Sequence, residues 1–419
     1  MPTMFEFAAF LLTLVAASGW LNQRFVGLPR TTALLVLGAA FSAALFGADM
    51  LGHRVGLDFD LSSWIGEIDF SATVLQGMLG FLLFAGALHV EFDELRTRRW
   101  TIFAMATVGV VISTAIVGIG LWLVAPLLGY PITLPWALVF GALISPTDPV
   151  AVLGTIKRVG MPDGLGITMT GESLFNDGVG IALFTLLLRF ATEGGQDISA
   201  LEVVGFFALE ALGAIILGAV AGWIAFRALK VIDERGLEVL ITLALVAGTY
   251  AVAERFEMSG PIAVVICGLI IGNLGTRYAM SEATLAYLRP FWDLTDEVLN
   301  ALLFFLIGLE TLALAFDPAL GWPAASAVPL ALLARLVAVS SAVGIMSFIT
   351  TFPYGTVRIL TWGGVRGGIS IALALSLPQS EARPLILAAT YLVVLTTLLL
   401  QAPTLAPLVR SMKVKGEQA

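Results

Sequence analysis

The amino-acid sequence predicts an all-α polytopic membrane protein with about thirteen transmembrane helices. Composition is the first observation behind this prediction, because 58% of the 419 residues are hydrophobic and only 12% are charged. In soluble proteins, roughly a quarter of the residues are charged. The second observation is that one apolar run follows another along the chain. Each is close to the roughly 20 residues that cross a bilayer as a helix.

The candidate spans are joined by short segments that leave no room for a soluble domain. We therefore expect one transmembrane domain over residues 1–419. The N-terminal "MPTMFEF" has no basic region before its apolar run, so we expect the first span to be retained rather than cleaved as a signal. The thirteen spans cover about 5–21, 31–47, 70–90, 102–127, 135–156, 164–190, 203–229, 237–253, 260–275, 291–316, 322–349, 358–377 and 384–408.

The distribution of Lys and Arg supports this number of spans. With the N-terminus outside, positive charge should collect in the inner segments. Every inner segment has at least one basic residue, whereas the outer side holds four. The C-terminus is then cytoplasmic. The inner residues are Arg24, Arg30, Arg96, Arg98, Arg99, Lys157, Arg158, Arg227, Lys230, Arg235, Arg277, Arg289, Arg358, Arg410, Lys413 and Lys415.

Several classes of function are excluded by composition. A net charge of −8 does not fit a nucleic-acid-binding surface, so no nucleic acid is expected as a partner. The single cysteine, Cys267, cannot form an internal disulfide, and Cys/His spacings typical of metal sites are absent. The pattern His-Glu-x-x-His does not occur, and no histidine stands near Ser173 as a base. We expect neither an enzyme nor a bound cofactor.

Two spans carry signals that interrupt a helix. In "LISPTDPVAV", Pro146 and Pro149 bracket Thr147 and Asp148, and each proline removes a donor and disfavours helical geometry before it. In "GGVRGGIS", four glycines surround Arg366. The two interruptions lie seven spans apart, so the broken spans run in opposite directions. Such a pair in an inverted repeat indicates a transporter binding site at mid-membrane. Glycine residues can also allow close helix packing, but this would not explain the charged Arg366 among them.

The sixth span carries a polar stripe within an apolar surround. In "GESLFNDGVG", the side chains Glu172, Ser173, Asn176 and Asp177 fit an arc of about 140° at 100° per residue. Ionisable residues inside a membrane indicate a transport path or relay. Oxygen ligands suit a small hard cation, and a carboxylate can hold a proton instead. A helix–helix hydrogen-bond network is the alternative, and for Ser173 it is equally compatible.

Glu172 requires a cationic partner within the membrane. Arg335 in the eleventh span is the first candidate and Arg366 the second. We expect this pair to be structural rather than a cation ligand.

Near its inner end, the tenth span has polar residues at helical spacing. They are Asp293, Asp296, Glu297 and Asn300 in "FWDLTDEVLN". They could line a funnel that attracts cations. They could equally be acids that favour a helix N-terminus, and this is the preferred interpretation for Asp293.

These motifs together resemble one known family. The segments "SPTDPVAV", "GESLFNDGVGIALF", "LLFFLIGLE", "LLARLVAV" and "GGVRGGISIALALSLP" are similar to those of the NhaP/NHE-type sodium/proton exchangers, the first family of monovalent cation:proton antiporters. The resemblance extends from about the third span to the thirteenth. It implies exchange of Na⁺, with Li⁺ or K⁺ as further substrates, against H⁺.

The resemblance also implies an architecture. Family members have thirteen helices in an inverted repeat, with two crossing broken helices, and assemble as homodimers. Scaffold helices would occupy about 5–90 and 203–316. Core helices over about 102–190 and 322–408 would move against them in alternating access.

The family's functional residues can be placed on this chain by its motifs. Its ion-binding aspartate corresponds to Asp177, and its Thr-Asp pair corresponds to Thr147 and Asp148. The remaining positions are Asn176, the coordinating Ser173 and the structural pair Glu172 and Arg335. Members with Asn-Asp at residues 176–177 are generally electroneutral, which implies exchange of one cation for one proton here.

At one position the chain departs from some relatives. They carry an acidic residue where "FLLFAGALHV" has Ala85, so no carboxylate role is carried over to that position. Size and family together predict a bacterial inner membrane. A passive cation channel or a cation sensor using the same site is the alternative function.

Overall fold

The computed structural model describes residues 4–55, 77–148, 152, 164–193, 200–310 and 318–416. All regular structure in these residues is helical, as the sequence predicts. The helices are α1 Met4–Leu21, α2 Arg30–Val55, α3 Leu79–Leu88, α4 Phe92–Ala104 and Val110–Val124, α5 Leu134–Ile144, α6 Leu165–Glu193, α7 Ala200–Leu229, α8 Arg235–Arg255, α9 Gly260–Ile270, α10 Glu282–Glu310, α11 Gly321–Met346, α12a Thr356–Trp362, α12b Gly368–Leu375, and α13 Arg383–Thr396 with Ala402–Gly416. Single π turns, Met105–Gly109 and Thr397–Gln401, join the two parts of α4 and of α13.

Each of the thirteen predicted spans corresponds to a helix or a broken pair of helices in the described residues. By length and composition, seven described helices can each cross a membrane. The first two helices pass the same test only together and meet at an angle of 111°. The described part of α3 and the unbroken part of α5 are short, at 10 and 11 residues.

The bend between α1 and α2 has a local cause. Gly27 has a φ of 72°, a left-handed conformation that glycine adopts without steric cost. The side chain of Asn22 closes the turn, because its amide donates to the carbonyl of Leu28 at 3.0 Å and its oxygen accepts from the Leu28 amide at 3.0 Å. The backbone polar groups exposed by the break are thereby satisfied.

The packing of α2 against α10 depends on two glycines. A Cβ on Gly38 would overlap the carbonyl oxygen of Phe305, and one on Gly308 would overlap that of Leu35. Such close approach of two backbones is typical of membrane helices, where small residues allow van der Waals contact. This packing fixes α10, whose other contacts reach the broken helices.

The buried apolar side chains form two main clusters. One joins α5 with α11, α12 and α13 and extends to α10, and the other joins α3, α8 and α9 with the N-terminal part of α10. Helix α10 therefore contributes to both. The division into a scaffold of about 5–90 and 203–316 and a moving core of about 102–190 and 322–408 stays a prediction.

Candidate cation site at two broken helices

Both interrupted spans are broken where the sequence predicts. Helix α5 ends at Ile144, and Ser145–Asp148 is not helical. The residues between α12a and α12b, 364–367, are also extended or irregular. The two breaks contact each other, since the amide of Asp148 donates to the carbonyl of Val365 at 2.8 Å. Pro149 lies outside the described residues.

Arg366 holds the crossing together. Its guanidinium donates to the carbonyl of Ser145 and, at 2.9 Å, to that of Pro146. These carbonyls lie at the C-terminal end of α5, where helix carbonyls lack partners and the helix dipole is negative. The backbone amide of Arg366 donates in turn to Thr397 Oγ1 at 3.1 Å. The buried positive charge therefore caps the broken helix, which explains an arginine among four glycines.

Close backbone approach at the crossing requires Gly367. A Cβ at this position would overlap the carboxylate of Asp148. The absence of a side chain at Gly367 thus leaves the space that the Asp148 carboxylate occupies. Asp148 itself is half-buried, whereas Thr147 is buried.

The polar stripe of α6 faces this crossing. The side-chain amide of Asn176 donates to Thr147 Oγ1 at 2.9 Å. Asp177 and Asp148 are the next residues in the chain after this pair. Asn176 is 1% exposed and Asp177 is 6% exposed. The structure therefore brings the buried residues Asn176 and Asp177 of α6 to the buried Thr147 and the half-buried Asp148 of the first break.

Two oxygens in this region are available to a ligand. Asn176 Oδ1 is buried and has no hydrogen-bond partner within the described residues. A buried acceptor left unpaired costs about 1–3 kcal/mol, so native structures rarely keep one without a use. Ser173 is buried one turn before Asp177, and its hydroxyl has no hydrogen bond to another described residue.

Glu172 points away from these oxygens, into a salt bridge with Arg335. The pair is bidentate: Arg335 Nη1 donates to Glu172 Oε1, and Nη2 donates to Oε2 at 2.9 Å. Arg335 also donates from Nε and Nη2 to the carbonyl of Leu360, at 3.2 and 3.1 Å. The two side chains are only 2% and 8% exposed. They join α6, α11 and α12a, and Arg366 is not part of the pair.

Two partners of the site residues carry no signal in the sequence. Thr397 lies in an apolar run and gives no indication that it accepts from Arg366. Leu360 contributes only its backbone carbonyl, which the sequence does not distinguish from any other. Ala85, where some relatives are acidic, is buried and 1% exposed.

The segment of α10 from Asp293 to Asn300 has its own set of contacts. His89 Nε2 lies 3.0 Å from Asp293 Oδ1, and Arg30 Nη1 lies 2.7 Å from Glu297 Oε2. Asn300 donates to Asp296 Oδ1 at 3.0 Å. Asp293, Asp296 and Glu297 thus differ in their partners, although they occupy the same turn.

Comparison with known proteins gives a consistent result. The family described as "Sodium/hydrogen exchanger, transmembrane" matches residues 10–411. The Na⁺/H⁺ antiporter NhaP of Pseudomonas aeruginosa is 43% identical over 97% of this chain and 96% of its own length. The Na⁺/H⁺ antiporter NhaH of Halobacillus dabanensis is 34% identical over 82% of this chain and 84% of its own length.

The fold is also similar to a solved structure. That of the sodium proton antiporter MjNhaP1 from Methanocaldococcus jannaschii matches with a TM-score of 0.73, over 97% of both chains and at 19% sequence identity. The structural likeness supports the helical fold, and the sequence matches extend over almost the whole chain. The chain therefore belongs to the sodium/hydrogen exchanger family of membrane transporters.

Proposed function

We propose that this protein exchanges Na⁺ for H⁺ across the bacterial inner membrane, with the cation and the proton competing for Asp177. The observation that best supports the proposal is the buried side-chain oxygen of Asn176, which has no hydrogen-bond partner among the described residues. Asn176 precedes Asp177 in the chain, and its amide donates to Thr147, which precedes Asp148. Hard cations are bound by carboxylate, amide, hydroxyl and carbonyl oxygens. Thr147 and Ser173 supply hydroxyl oxygens in the same region.

Competition for one carboxylate explains coupling between the two ions. A bare buried carboxylate is costly to keep away from water, whereas a carboxylate that holds Na⁺ or H⁺ is neutralised. The positive charge of Arg366 is already directed at the carbonyls of Ser145 and Pro146. The charge of Asp177 is therefore balanced by the bound Na⁺ or H⁺. If the core reorients only with one of these ions bound, each cycle exchanges one ion for the other.

The same argument supports an electroneutral cycle. Of the two adjacent residues Asn176 and Asp177 in α6, only Asp177 has a carboxyl group. Asp177 is therefore the group that binds Na⁺ and H⁺ in turn. Replacing one Na⁺ by one H⁺ leaves the net charge of the moving unit unchanged. Exchange of one cation for one proton should then be indifferent to membrane potential.

The proposal includes further properties, which come from the resemblance and from the distribution of basic residues. The core of about 102–190 and 322–408 would move against the scaffold of about 5–90 and 203–316 in alternating access, in a homodimer within the lipid bilayer. Li⁺ or K⁺ would be accepted beside Na⁺. The N-terminus would be outside and the C-terminus cytoplasmic, as the distribution of basic residues predicts.

Proton flux in liposomes tests the proposal. The purified protein in liposomes would receive pulses of Na⁺ or Li⁺. In one series the membrane potential would be clamped by valinomycin and K⁺, and in another it would be left free. Pulses of K⁺ would be given only without the clamp. We expect cation-evoked proton release that the clamp does not alter. Asp177→Asn should abolish it, whereas Glu193→Gln at the exposed end of the same helix should not.

Two outcomes would contradict the proposal. Cation flux that ignores the proton gradient would indicate a passive channel using the same site. Full proton-coupled activity in Asp177→Asn would show that the exchanged ions bind elsewhere.

A further inference from the structure

A cavity of about 170 Å³ lies between α11, the break of α12 and α13. A cavity of about 150 Å³ in another protein binds benzene, so this volume suits a molecule of about six non-hydrogen atoms. Among the described residues, its wall includes none of the candidate cation ligands Thr147, Asp148, Ser173, Asn176 and Asp177. The cavity is therefore separate from the candidate cation site, although both adjoin the crossing of the broken helices.

Two side chains on the wall of the cavity have unused hydrogen-bond donors. Gln401 is 4% exposed, and its Nε2 is buried without a partner within the described residues. Arg366 is 2% exposed, and its bonds to the carbonyls of Ser145 and Pro146 both come from Nη1. Its Nε and Nη2 donate to no residue in the described part of the chain. Because buried donors usually have an acceptor, the cavity favours a ligand with acceptor oxygens.

The charge of Arg366 favours an anion over a neutral acceptor. Arg335 also lines the cavity, but its charge is balanced by the bidentate bond to Glu172. Arg366 forms no salt bridge with any described residue, and its guanidinium contacts neutral carbonyls instead. A buried charge is costly unless it is paired, so an anion in the cavity would supply the counter-charge.

Most of the remaining wall is apolar. It is formed by Val328, Ala331, Leu332, Val393 and Leu400 among others. Chloride or phosphate would lose its hydration to these side chains without compensation. Leu400 is 62% exposed, so the cavity lies close to the outer surface of the helices. The wall therefore fits a ligand with one anionic end and a short apolar body.

The position of Gln401 depends on a local irregularity of α13. Gln401 is the last residue of the π turn Thr397–Gln401. A π turn adds one residue to a helix, which rotates the side chains after it by about 100° relative to those before it. Such turns are frequent at functional sites. The turn thus accompanies a buried amide that the packing of the described helices does not use.

We propose that this cavity binds a short monocarboxylate of the size of butyrate. The carboxylate accepts from Gln401 and Arg366, and the alkyl chain packs among the apolar side chains of α11 and α13. Guanidinium and carboxylate form strong, charge-assisted hydrogen bonds. The bound acid contacts the same arginine that caps the broken α5. The proposal concerns binding alone, so it does not depend on ion exchange.

Fluorine NMR of the purified protein in detergent tests the binding. The probe is 4-fluorobutyrate at constant ionic strength. We expect its resonance to broaden with the wild type and to sharpen when butyrate is added. Acetate lacks two methylene groups and should need about a 15-fold higher concentration for the same displacement. Butyramide, which has no charge, and chloride should displace the probe much less than butyrate does.

Three variants locate the site. Gln401→Leu removes the donor at similar size and should weaken binding about tenfold or more, because hydrogen bonds to charged groups are strong. Its melting temperature should not fall, since the replaced amide nitrogen has no partner within the described residues. Ala331→Leu fills part of the cavity and should abolish binding. The control Gln23→Leu, at an exposed glutamine, should bind the probe as the wild type does.

The outcomes that would overturn the proposal are distinct. Absence of broadening with the wild type would show that the cavity does not bind a monocarboxylate. Equal displacement by butyramide or chloride would contradict the predicted chemistry of the ligand. Unchanged binding in Gln401→Leu and Ala331→Leu would place the probe elsewhere on the protein. A lower melting temperature of Gln401→Leu, with unchanged binding, would make Gln401 a structural residue.

Discussion

The buried salt bridge between Glu172 and Arg335 gives the most quantitative prediction. Replacing Glu172 by Gln leaves the guanidinium of Arg335 buried without a counter-charge, with neutral acceptors such as the Leu360 carbonyl as its partners. Removing one member of a buried pair costs about 3–5 kcal/mol, because the other charge cannot return to water. The side chains, at 2% and 8% exposed, meet this condition.

The expected shift in melting temperature follows from this cost. An unfolding entropy of about 2.1 cal/mol/K per residue gives about 0.9 kcal/mol/K for 419 residues. A loss of about 3–5 kcal/mol then corresponds to a decrease of about 3–6 °C. Thermal unfolding in detergent, followed by size-exclusion chromatography of heated samples, measures this decrease.

Two controls make the result interpretable. Arg30→Gln breaks a salt bridge whose side chains are 59% and 62% exposed, so it should lower the melting temperature by less than about 1 °C. The double variant Glu172→Gln/Arg335→Gln has no stranded charge and should recover part of the loss. A melting temperature for Glu172→Gln within 1 °C of wild type would refute the reasoning.

Three further predictions follow from the site and its surroundings. Gly367→Ala should abolish or severely weaken Na⁺-evoked proton flux, because a Cβ would displace the Asp148 carboxylate, whereas Gly344→Ala, with open space around it, should be active; comparable flux in both variants would count against the crossing geometry. Competition at Asp177 predicts that the apparent KM for Na⁺ rises about tenfold for each unit by which the pH falls, once the proton occupies most of the sites, with an unchanged maximal rate. A KM that stays constant over three pH units while the rate falls would exclude simple competition. Tyr287→Phe should lower the melting temperature by about 1–3 °C, because the carboxylate of Glu238, which is fully buried, loses a hydroxyl donor; no change relative to Tyr354→Phe, whose ring is 53% exposed, would contradict this expectation.

Much of the fold could be predicted because each element has a local cause. Apolar runs long enough for a bilayer predict the helices, and Pro146 or the glycines around Arg366 predict where two of them break. These signals depend on neighbouring residues in the chain. The positions of both breaks therefore follow from the sequence, and the described residues agree with them.

The site was predictable only as far as side-chain chemistry is visible in the sequence. Asp177, Asn176 and Asp148 stand out because polar groups are costly in a membrane. The capping of the Ser145 and Pro146 carbonyls by Arg366 could not be predicted, because backbone carbonyls are the same for every residue. The different partners of Asp293, Asp296 and Glu297 come from α2 and α3 and from within α10, and only the three-dimensional packing distinguishes them.

The pairing of Glu172 with Arg335 has a consequence for the synthesis of the protein. The two residues are 163 positions apart in the chain. At about 5–20 residues per second, Glu172 is synthesised roughly 8–33 seconds before Arg335. During that interval Glu172 must be sheltered from lipid by water, by the translocation machinery or by a bound proton. The helices around the candidate cation site can therefore reach their final arrangement only after α11 has been made, so this region is assembled late in biogenesis.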